Sequence, residues 1–331
     1  MTSSQFPRLA ARIERWPIAG AFTISRGAKT EAVTVVAELS HHEHTGRGEC
    51  VPYPRYGETP EATLAALEAM AESLAQGLDR QALQAAMPPG AARNALDCAL
   101  LDLEAKTAGQ RVWALLGRPA PKPCTTAYTI SLGTPDAMAA ATAKAAQRPL
   151  LKIKLGGDGD GERIAAVRKA APQSELIVDA NEAWTPGNLE QNLAACAEAG
   201  VALVEQPLPA DNDAALARIR RPLKVCADES AHDRASLERL RDRYDAVNIK
   251  LDKTGGLTEA MAMADAAHAL GFEIMIGCMV ATSLSMAPAM LLTHHARFVD
   301  LDGPLLLARD RDGGLRYDGS TIYPPEAALW G

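Results

Sequence analysis

The sequence lacks paired-cysteine motifs, basic blocks and long apolar runs, and each absence excludes a class of protein. Its six cysteines are scattered and form no CxxC pair, which favours reduced core thiols in a cytosolic protein over a disulfide framework. The net charge of −7 argues against nucleic acid or an anionic membrane as the main partner. No apolar run reaches membrane-spanning length, and the first 16 residues lack the apolar core of a signal peptide. We therefore expect a soluble, cytoplasmic protein that binds neither nucleic acid nor membrane.

The first 120 residues combine strand and helix patterns. Alternating apolar residues predict strands over residues 9–18, 32–39 and 47–51. Helical spacing predicts helices over residues 60–75 and 91–107. Mobile or stiff loops are predicted at residues 22–29 and 52–60, and the histidine-rich stretch 41–44 is predicted to be a hairpin loop, not a metal site. The sequence therefore predicts an α+β unit over residues 1–120, ending in a proline-rich linker.

After residue 124 short apolar strands alternate with helical segments. Strands are predicted over residues 125–131, 150–155, 175–180, 202–207, 224–229, 246–251, 273–278 and 298–303. Helices are predicted between them, over residues 135–146, 161–171, 186–199, 213–219, 234–241, 257–270 and 281–295. Repeated β–α units imply parallel strands, and eight of them favour closure into a barrel. An open doubly wound sheet is the alternative, but no GxGxxG turn follows the first strand to support it. A tail with a short hairpin around residues 312–314 is predicted to pack back on the N-terminal unit.

Two lysines in the apolar stretch LLKIKL, residues 150–155, are the first chemical signal. Lys152 and Lys154 lie two residues apart, so in a strand both side chains leave the same face. Two neighbouring ammonium groups that lose hydration require an anionic partner. The alternative is an edge strand whose charges prevent aggregation. The acidic residues at the ends of the following strands favour the first interpretation.

Ionisable residues recur at the carboxyl ends of the predicted strands, which converge on one opening in a barrel. They are Lys152, Lys154, Asp179, Glu205, Asp228, Glu229, Lys250, Asp300 and Asp302. Three carboxylates on consecutive strands, Asp179, Glu205 and Asp228, form an oxygen-rich set that suits Mg²⁺. The sequence therefore predicts a magnesium site at the barrel mouth.

Lys250 belongs to the strand four positions around the barrel from the strand of Lys152 and Lys154. A substrate between them would present one face to Lys154 and the other face to Lys250. A nearby divalent cation and partial desolvation would lower the pKa of these lysines toward the range used in proton transfer. One lysine on each face is what inversion at carbon requires. The metal and Lys152 would stabilise the enediolate that forms when a proton leaves a carbon next to a carboxylate.

These residues resemble the muconate-lactonizing subgroup of the enolase superfamily, and most closely the bacterial L-Ala-D/L-Glu (dipeptide) epimerases. The resemblance spans nearly the whole chain. It is carried by ECVPYPRYGE (49–58), AARNALDCALLDLEAK (91–106), LKIKL, IVDANEAW, VEQPLP, CADES, VNIKLDKTGGLTEA, IGCM and DLDGP. The DLDGP stretch and the loop ISRGAKTE point more narrowly to dipeptide epimerases.

The resemblance implies an α/β fold, a modified TIM barrel (β/α)7β with an N-terminal α+β capping domain. The implied domains are the capping domain over residues 1–120, the catalytic barrel over 121–310 and a C-terminal tail over 311–331 that completes the cap. It also implies one Mg²⁺ per subunit, bound by Asp179, Glu205 and Asp228. Lys154 and Lys250 would be the paired acid and base catalysts. Substrate contacts are implied for Lys152, Thr129, Asp300, Asp302 and Arg26.

The expected activity is magnesium-dependent epimerisation of dipeptides, L-Ala-L-Glu and L-Ala-D-Glu from peptidoglycan turnover, by two-base 1,1-proton transfer. The alternatives are an N-succinylamino acid racemase, an o-succinylbenzoate synthase or a non-catalytic ligand-binding barrel. Asp300 and Asp302 would bind the free ammonium of a dipeptide, and substrates of the first two enzymes lack that group. Two opposed lysines are unnecessary in a non-catalytic barrel. The dipeptide is the expected binding partner. Whether the chain forms a homo-oligomer is left open.

Overall fold

A computed structural model describes residues 6–331, so residues 1–5 of the predicted capping domain lie outside the described residues. The described part of the chain begins with an antiparallel sheet of three strands, β1 Arg8–Ile24, β2 Gly27–His41 and β3 His44–Cys50. The hairpin loop predicted at 41–44 is confirmed. The loop predicted at 22–29 is wrong, because β1 and β2 pair as far as Ile24 and Gly27. Hydrogen bonds between β1 and β2 satisfy the backbone groups of these residues, so the two strands continue through a polar segment.

Five helices follow this sheet. They are α1 Pro60–Glu68, α2 Ala71–Ala75, α3 Arg80–Ala86, α4 Ala91–Ala108 and α5 Val112–Leu115. The single helix predicted over 60–75 is thus divided in two, and α3 was not predicted. The helix α4 packs closely on β3: a Cβ on Gly48 would lie 2.0 Å from the carbonyl oxygen of Ala95. Glycine at this position lets the helix and the sheet approach each other.

The predicted eight-stranded parallel barrel is confirmed. Its strands are β5 Tyr128–Ile130, β6 Leu150–Lys154, β7 Glu175–Asp179, β8 Val201–Glu205, β9 Lys224–Ala227, β10 Ala246–Ile249, β11 Glu273–Gly277 and β12 Phe298–Asp300. Neighbours in sequence are neighbours in the sheet. The amide of Ala127 donates to the carbonyl of Val299 at 2.8 Å, which nearly closes the sheet. The preceding strand β4 Cys124–Thr125 pairs elsewhere, so the strand predicted over 125–131 begins three residues late.

The connections between barrel strands are helical, as expected, with two exceptions. The connecting helices are α6 Pro135–Lys144, α7 Asp160–Ala170, α8 Leu189–Glu198, α9 Leu251–Thr254, α10 Leu257–Ala269 and α11 Ser283–Ala289. Helix α12 Gly303–Leu306 follows the last barrel strand. The α-helices predicted over 213–219 and 234–241 are wrong. Short 3₁₀ helices occupy those connections, at Ala214–Ala217, Arg234–Ser236 and Glu238–Leu240. Short pieces of 3₁₀ helix are common as connectors between other elements.

The end of the chain returns to the start of the barrel and to α4. A hairpin of β13 Tyr317–Asp318 and β14 Thr321–Ile322 pairs with β4, so the hairpin predicted around 312–314 lies instead at 317–322. The indole of Trp330 donates to the carbonyl of Cys98 in α4 at 3.1 Å. None of the helices within residues 6–331 has the length and apolar character that crossing a membrane requires.

Candidate active site

Three acidic side chains meet at the carboxyl ends of β7, β8 and β9. Asp179 and Glu205 are the last residues of their strands, and Asp228 follows the last residue of β9. Each is at most 2% exposed. One carboxylate oxygen of each lies within 4.8 Å of the others. The structure therefore brings together the set that the sequence predicts, with the oxygen donors that a hard divalent cation prefers.

The balance of charge at the barrel mouth also fits a bound cation. Six buried carboxylates lie there, those of Asp179, Glu205, Asp228, Glu229, Asp300 and Asp302. Four buried ammonium groups accompany them, those of Lys152, Lys154, Lys250 and Lys253. When ionised, the carboxylates outnumber the ammonium groups by two, or by one when the Arg26 guanidinium on Glu229 is included. Uncompensated charge is costly in a buried site, so a divalent cation suits these residues.

The lysines of β6 contact these carboxylates from one side. Lys152 Nζ lies 2.7 Å from Glu205 Oε2, 2.8 Å from Asp300 Oδ2 and 3.3 Å from Asp179 Oδ2. Lys154 Nζ donates to Asp179 Oδ2 at 2.6 Å. Burial lowers the pKa of Lys152, but the carboxylates of Asp300 and Glu205 outweigh that effect and raise it well above its usual range. Lys152 therefore carries a fixed positive charge beside the acidic set.

Lys250 approaches the acidic set from the opposite side. It follows β10, which is separated from β6 by β7, β8 and β9 in the sheet. Lys250 Nζ donates to Asp228 Oδ2 at 2.6 Å. Burial lowers the pKa of Lys250, but Asp228 and Glu205 raise it above its usual value. The lowering of lysine pKa by a divalent cation stays a prediction. The opposed arrangement of Lys154 and Lys250 agrees with the sequence.

Asp300, Asp302 and Thr129 line the same pocket where the first and last barrel strands meet. Asp300 Oδ2 accepts from Lys152, whereas Asp300 Oδ1 is buried and has no hydrogen-bond partner among the described residues. Asp302 accepts a hydrogen bond from the Thr129 amide at 2.7 Å. Burial and the neighbouring Asp300 raise the pKa of Asp302 above its usual value. Both aspartates therefore favour a cationic group beside them.

Two segments of the N-terminal unit cover the pocket. Arg26, in the tight turn between β1 and β2, donates to Glu229 Oε1 at 2.7 Å and to the Tyr53 hydroxyl at 2.9 Å. Arg55 donates to both carboxylate oxygens of Glu182 at 2.8 Å. The pocket beneath them has a volume of about 590 Å³. These contacts hold the hairpin tip and residues 52–57 over the barrel mouth.

Two side chains that contact carboxylates of the acidic set were not predicted. Lys253 Nζ contacts Asp228 Oδ1 at 2.5 Å, and Asn248 Nδ2 donates to Glu205 Oε1 at 2.7 Å. The sequence carried a signal for Asn248, which lies two residues before Lys250 and so on the same face of β10. Lys253 depends on the short helix α9, which was not predicted.

Comparison with known families matches both parts of the chain. Residues 8–117 match the family model described as mandelate racemase / muconate lactonizing enzyme, N-terminal domain. Residues 136–328 match the model described as enolase C-terminal domain-like.

Individual relatives cover nearly the whole chain. The L-Ala-D/L-Glu epimerase of Escherichia coli (strain K12) is 48% identical over 94% of this chain and 97% of its own length. The N-acetyl-D-glutamate racemase of a Pseudoalteromonas species is 43% identical over 90% of this chain and 95% of its own.

Solved structures give the same result. An enolase family member from Agrobacterium tumefaciens, with homology to dipeptide epimerases and with bound sodium and L-Ala-L-Glu, superposes with a TM-score of 0.96. It is 58% identical and the match covers 98% of this chain and 100% of that one. A dipeptide epimerase from Cytophaga hutchinsonii, in complex with Mg and D-Ala-L-Val, superposes with a TM-score of 0.90. It is 26% identical, and the match covers 97% and 94% of the two chains.

Proposed function

Since the chain belongs to the mandelate racemase / muconate lactonizing enzyme family of the enolase superfamily and is an isomerase of the dipeptide epimerase type, we propose that it interconverts L-Ala-L-Glu and L-Ala-D-Glu. The proposed reaction uses one Mg²⁺ per subunit. The observation that carries this proposal is the pair Lys154 and Lys250 on opposite sides of a pocket floored by three carboxylates. The expected source of the dipeptides is peptidoglycan turnover, in the cytoplasm.

Asp179, Glu205 and Asp228 are the proposed holders of Mg²⁺. The bound ion would fix the substrate carboxylate and stabilise the negative charge that develops on it as the α-proton leaves. Lys152, with its positive charge beside Glu205, is proposed to contact the same substrate carboxylate. Its three carboxylate neighbours keep it protonated, which suits electrostatic stabilisation and not proton transfer.

Lys154 and Lys250 are the proposed acid and base. With the α-carbon between them, one lysine removes the proton of one epimer while the other delivers a proton to the opposite face. The two lysines exchange roles for the reverse reaction, so each turnover requires one neutral and one protonated amine. The contacts of Arg26 and Arg55 with the barrel support a closed pocket that excludes water during the transfer.

The substrate ammonium is proposed to bind between Asp300 and Asp302, beside Thr129. The free oxygen of Asp300 and the raised pKa of Asp302 support a cationic ligand there. Arg26 is proposed to bind the acidic side chain of the second residue of the dipeptide. Its guanidinium would then contact both that side chain and Glu229. In this proposal residues 1–120 cap the catalytic barrel of residues 121–310, and the tail of residues 311–331 completes the cap.

Racemisation of an N-acylated amino acid is the second candidate, because the chain is 43% identical to an N-acetyl-D-glutamate racemase. Such a substrate also carries a carboxylate next to the reacting carbon, so it would use the same lysines. It lacks the ammonium group, and two buried aspartates would face an uncharged acyl group instead. Desolvated charges without a partner are costly, so Asp300 and Asp302 favour the dipeptide.

The experiment is incubation of L-Ala-L-Glu with the enzyme and Mg²⁺ in deuterated water. Proton NMR should show L-Ala-D-Glu forming and deuterium entering the α-position of the second residue. N-acetyl-L-glutamate under the same conditions is the comparison substrate. Faster deuterium uptake by N-acetylglutamate than by the dipeptide would reverse the order of the two candidates.

A further inference from the structure

We infer that Gln206 is a positioning residue that fixes Glu205 and Asp228 relative to each other, so that cation affinity depends on its side-chain amide. The inference rests on the proposed function for the identity of the metal-binding carboxylates. It concerns a side chain that touches neither the metal nor the substrate.

The Gln206 side chain joins the ends of two neighbouring strands. Gln206 directly follows Glu205 and is fully buried. Its Oε1 accepts hydrogen bonds from the Asp228 amide at 2.8 Å and from the Ser230 amide at 3.1 Å. The backbone amide of Gln206 donates to the carbonyl of Cys226 at 2.9 Å. One residue at the end of β8 therefore holds the backbone that carries Asp228.

The backbone of Gln206 is itself unusual. Its φ is +35°, a left-handed conformation that a non-glycine residue adopts at a cost. Such a conformation persists only where surrounding contacts determine it. The hydrogen bonds that the Asp228 and Ser230 amides donate to the Gln206 side chain supply these contacts.

The orientation of the Gln206 amide is determined by its surroundings. Nε2 lies 2.9 Å from the hydroxyls of Ser230 and Tyr244 and 2.8 Å from the carbonyl of Leu208. Both hydroxyls donate to Asp213 Oδ2, at 2.7 and 2.8 Å, so their oxygens are left to accept from Nε2. A reversed amide would turn its oxygen toward the Leu208 carbonyl and its NH₂ toward two amide donors. Only one orientation satisfies the network.

This network has a function beyond packing because it acts on ligand geometry. A divalent cation such as Mg²⁺ demands near-ideal distances to its oxygen ligands. Loss of a residue that orients metal ligands typically lowers metal affinity about 10- to 100-fold. A residue that only fills the core would instead change the stability of the metal-free protein and leave the affinity intact.

The test measures Mg²⁺ binding to metal-free protein by isothermal titration calorimetry, beside thermal unfolding of the same protein without metal. Gln206→Met removes every amide contact at similar volume. Gln206→Glu keeps the shape but places an oxygen against Leu208 and the two hydroxyls. We expect both variants to bind Mg²⁺ about 10- to 100-fold more weakly than the parent. Gln84→Met is the matched control, because Gln84 donates to Asp97 at 2.9 Å in the N-terminal unit. The Mg²⁺ affinity of this variant should equal that of the parent.

Either Gln206 variant, if it binds Mg²⁺ with the parent's affinity, overturns the inference, whatever its unfolding temperature. The proposed function survives that outcome. A parent protein that binds no Mg²⁺ would instead overturn the proposed function, and the inference with it. The two failures are therefore distinguishable in one set of titrations.

Discussion

Asp302 provides the most direct test of the proposed substrate class. The residue is 3% exposed and accepts a hydrogen bond from the Thr129 amide. Asp302→Asn retains the volume of the side chain and an oxygen that accepts from Thr129. It removes the negative charge that would face the substrate ammonium. The variant should therefore fold and bind Mg²⁺ as the parent does, yet lose affinity for the transition state of a free dipeptide.

The magnitude follows from the burial of this contact. Truncation of one partner of a buried, hydrogen-bonded charge pair costs about 2 to 5 kcal/mol. Asp300 remains beside the ammonium, so we expect the lower part of that range, about 2 to 4 kcal/mol. At about 1.4 kcal/mol per factor of ten, kcat/KM for L-Ala-L-Glu should fall about 30- to 1000-fold.

The assay compares L-Ala-L-Glu with its N-acetyl derivative in the parent and in Asp302→Asn, with epimer formation followed by NMR. The parent should turn over the acetylated dipeptide poorly. The substitution should lower kcat/KM for the free dipeptide only, because the acetylated compound has no ammonium to lose. An equal loss on both substrates would refute the ammonium contact. So would an acetylated dipeptide that the parent turns over as fast as the free one.

Three further predictions concern catalysis, stability and the cover of the pocket. Lys154→Ala and Lys250→Ala should each abolish epimerisation. In each variant, NMR should show that one epimer still exchanges its α-proton with deuterated water. Epimerisation at the parental rate in either variant would contradict the two-base assignment. Burial raises the pKa of Asp252 to about 7, so the folded state binds the carboxyl proton of Asp252 more tightly than the unfolded state does. The contribution of Asp252 to the free energy of unfolding therefore falls as pH rises from about 4 to 7. Asp252→Asn should lose that dependence, and its urea midpoint relative to the parent should rise between pH 5 and pH 8; a constant difference would count against it. Arg55→Ala should raise KM about fivefold and leave Mg²⁺ affinity unchanged, because the partly exposed ion pair of Arg55 with Glu182 contributes about 1 kcal/mol. An unchanged KM would show that this ion pair does not hold the cover of the pocket closed.

The barrel and the centre of its site could be predicted because both depend on short-range patterns. Short apolar runs at regular spacing indicate parallel strands, and parallel strands bring Asp179, Glu205 and Asp228 to one opening whatever the details of the helices. The period of a strand likewise places Lys152 and Lys154 on one face. None of these inferences requires knowledge of a distant contact.

The features that escaped prediction depend on distant partners. Residues 22–29 have the composition of a loop, but the pairing of β1 with β2 extends both strands through them. The role of Gln206 depends on the Tyr244 hydroxyl, 38 residues later in the chain. Tertiary context overrides the local signal in each case.

The contact of Trp330 with α4 has a consequence for the order of folding. Its hydrogen bond to Cys98 joins residues 232 positions apart, and every barrel strand lies between them. During synthesis on the ribosome, α4 emerges long before the tryptophan that buries its carbonyl. The N-terminal unit therefore waits, with part of α4 uncovered, until the barrel has been made.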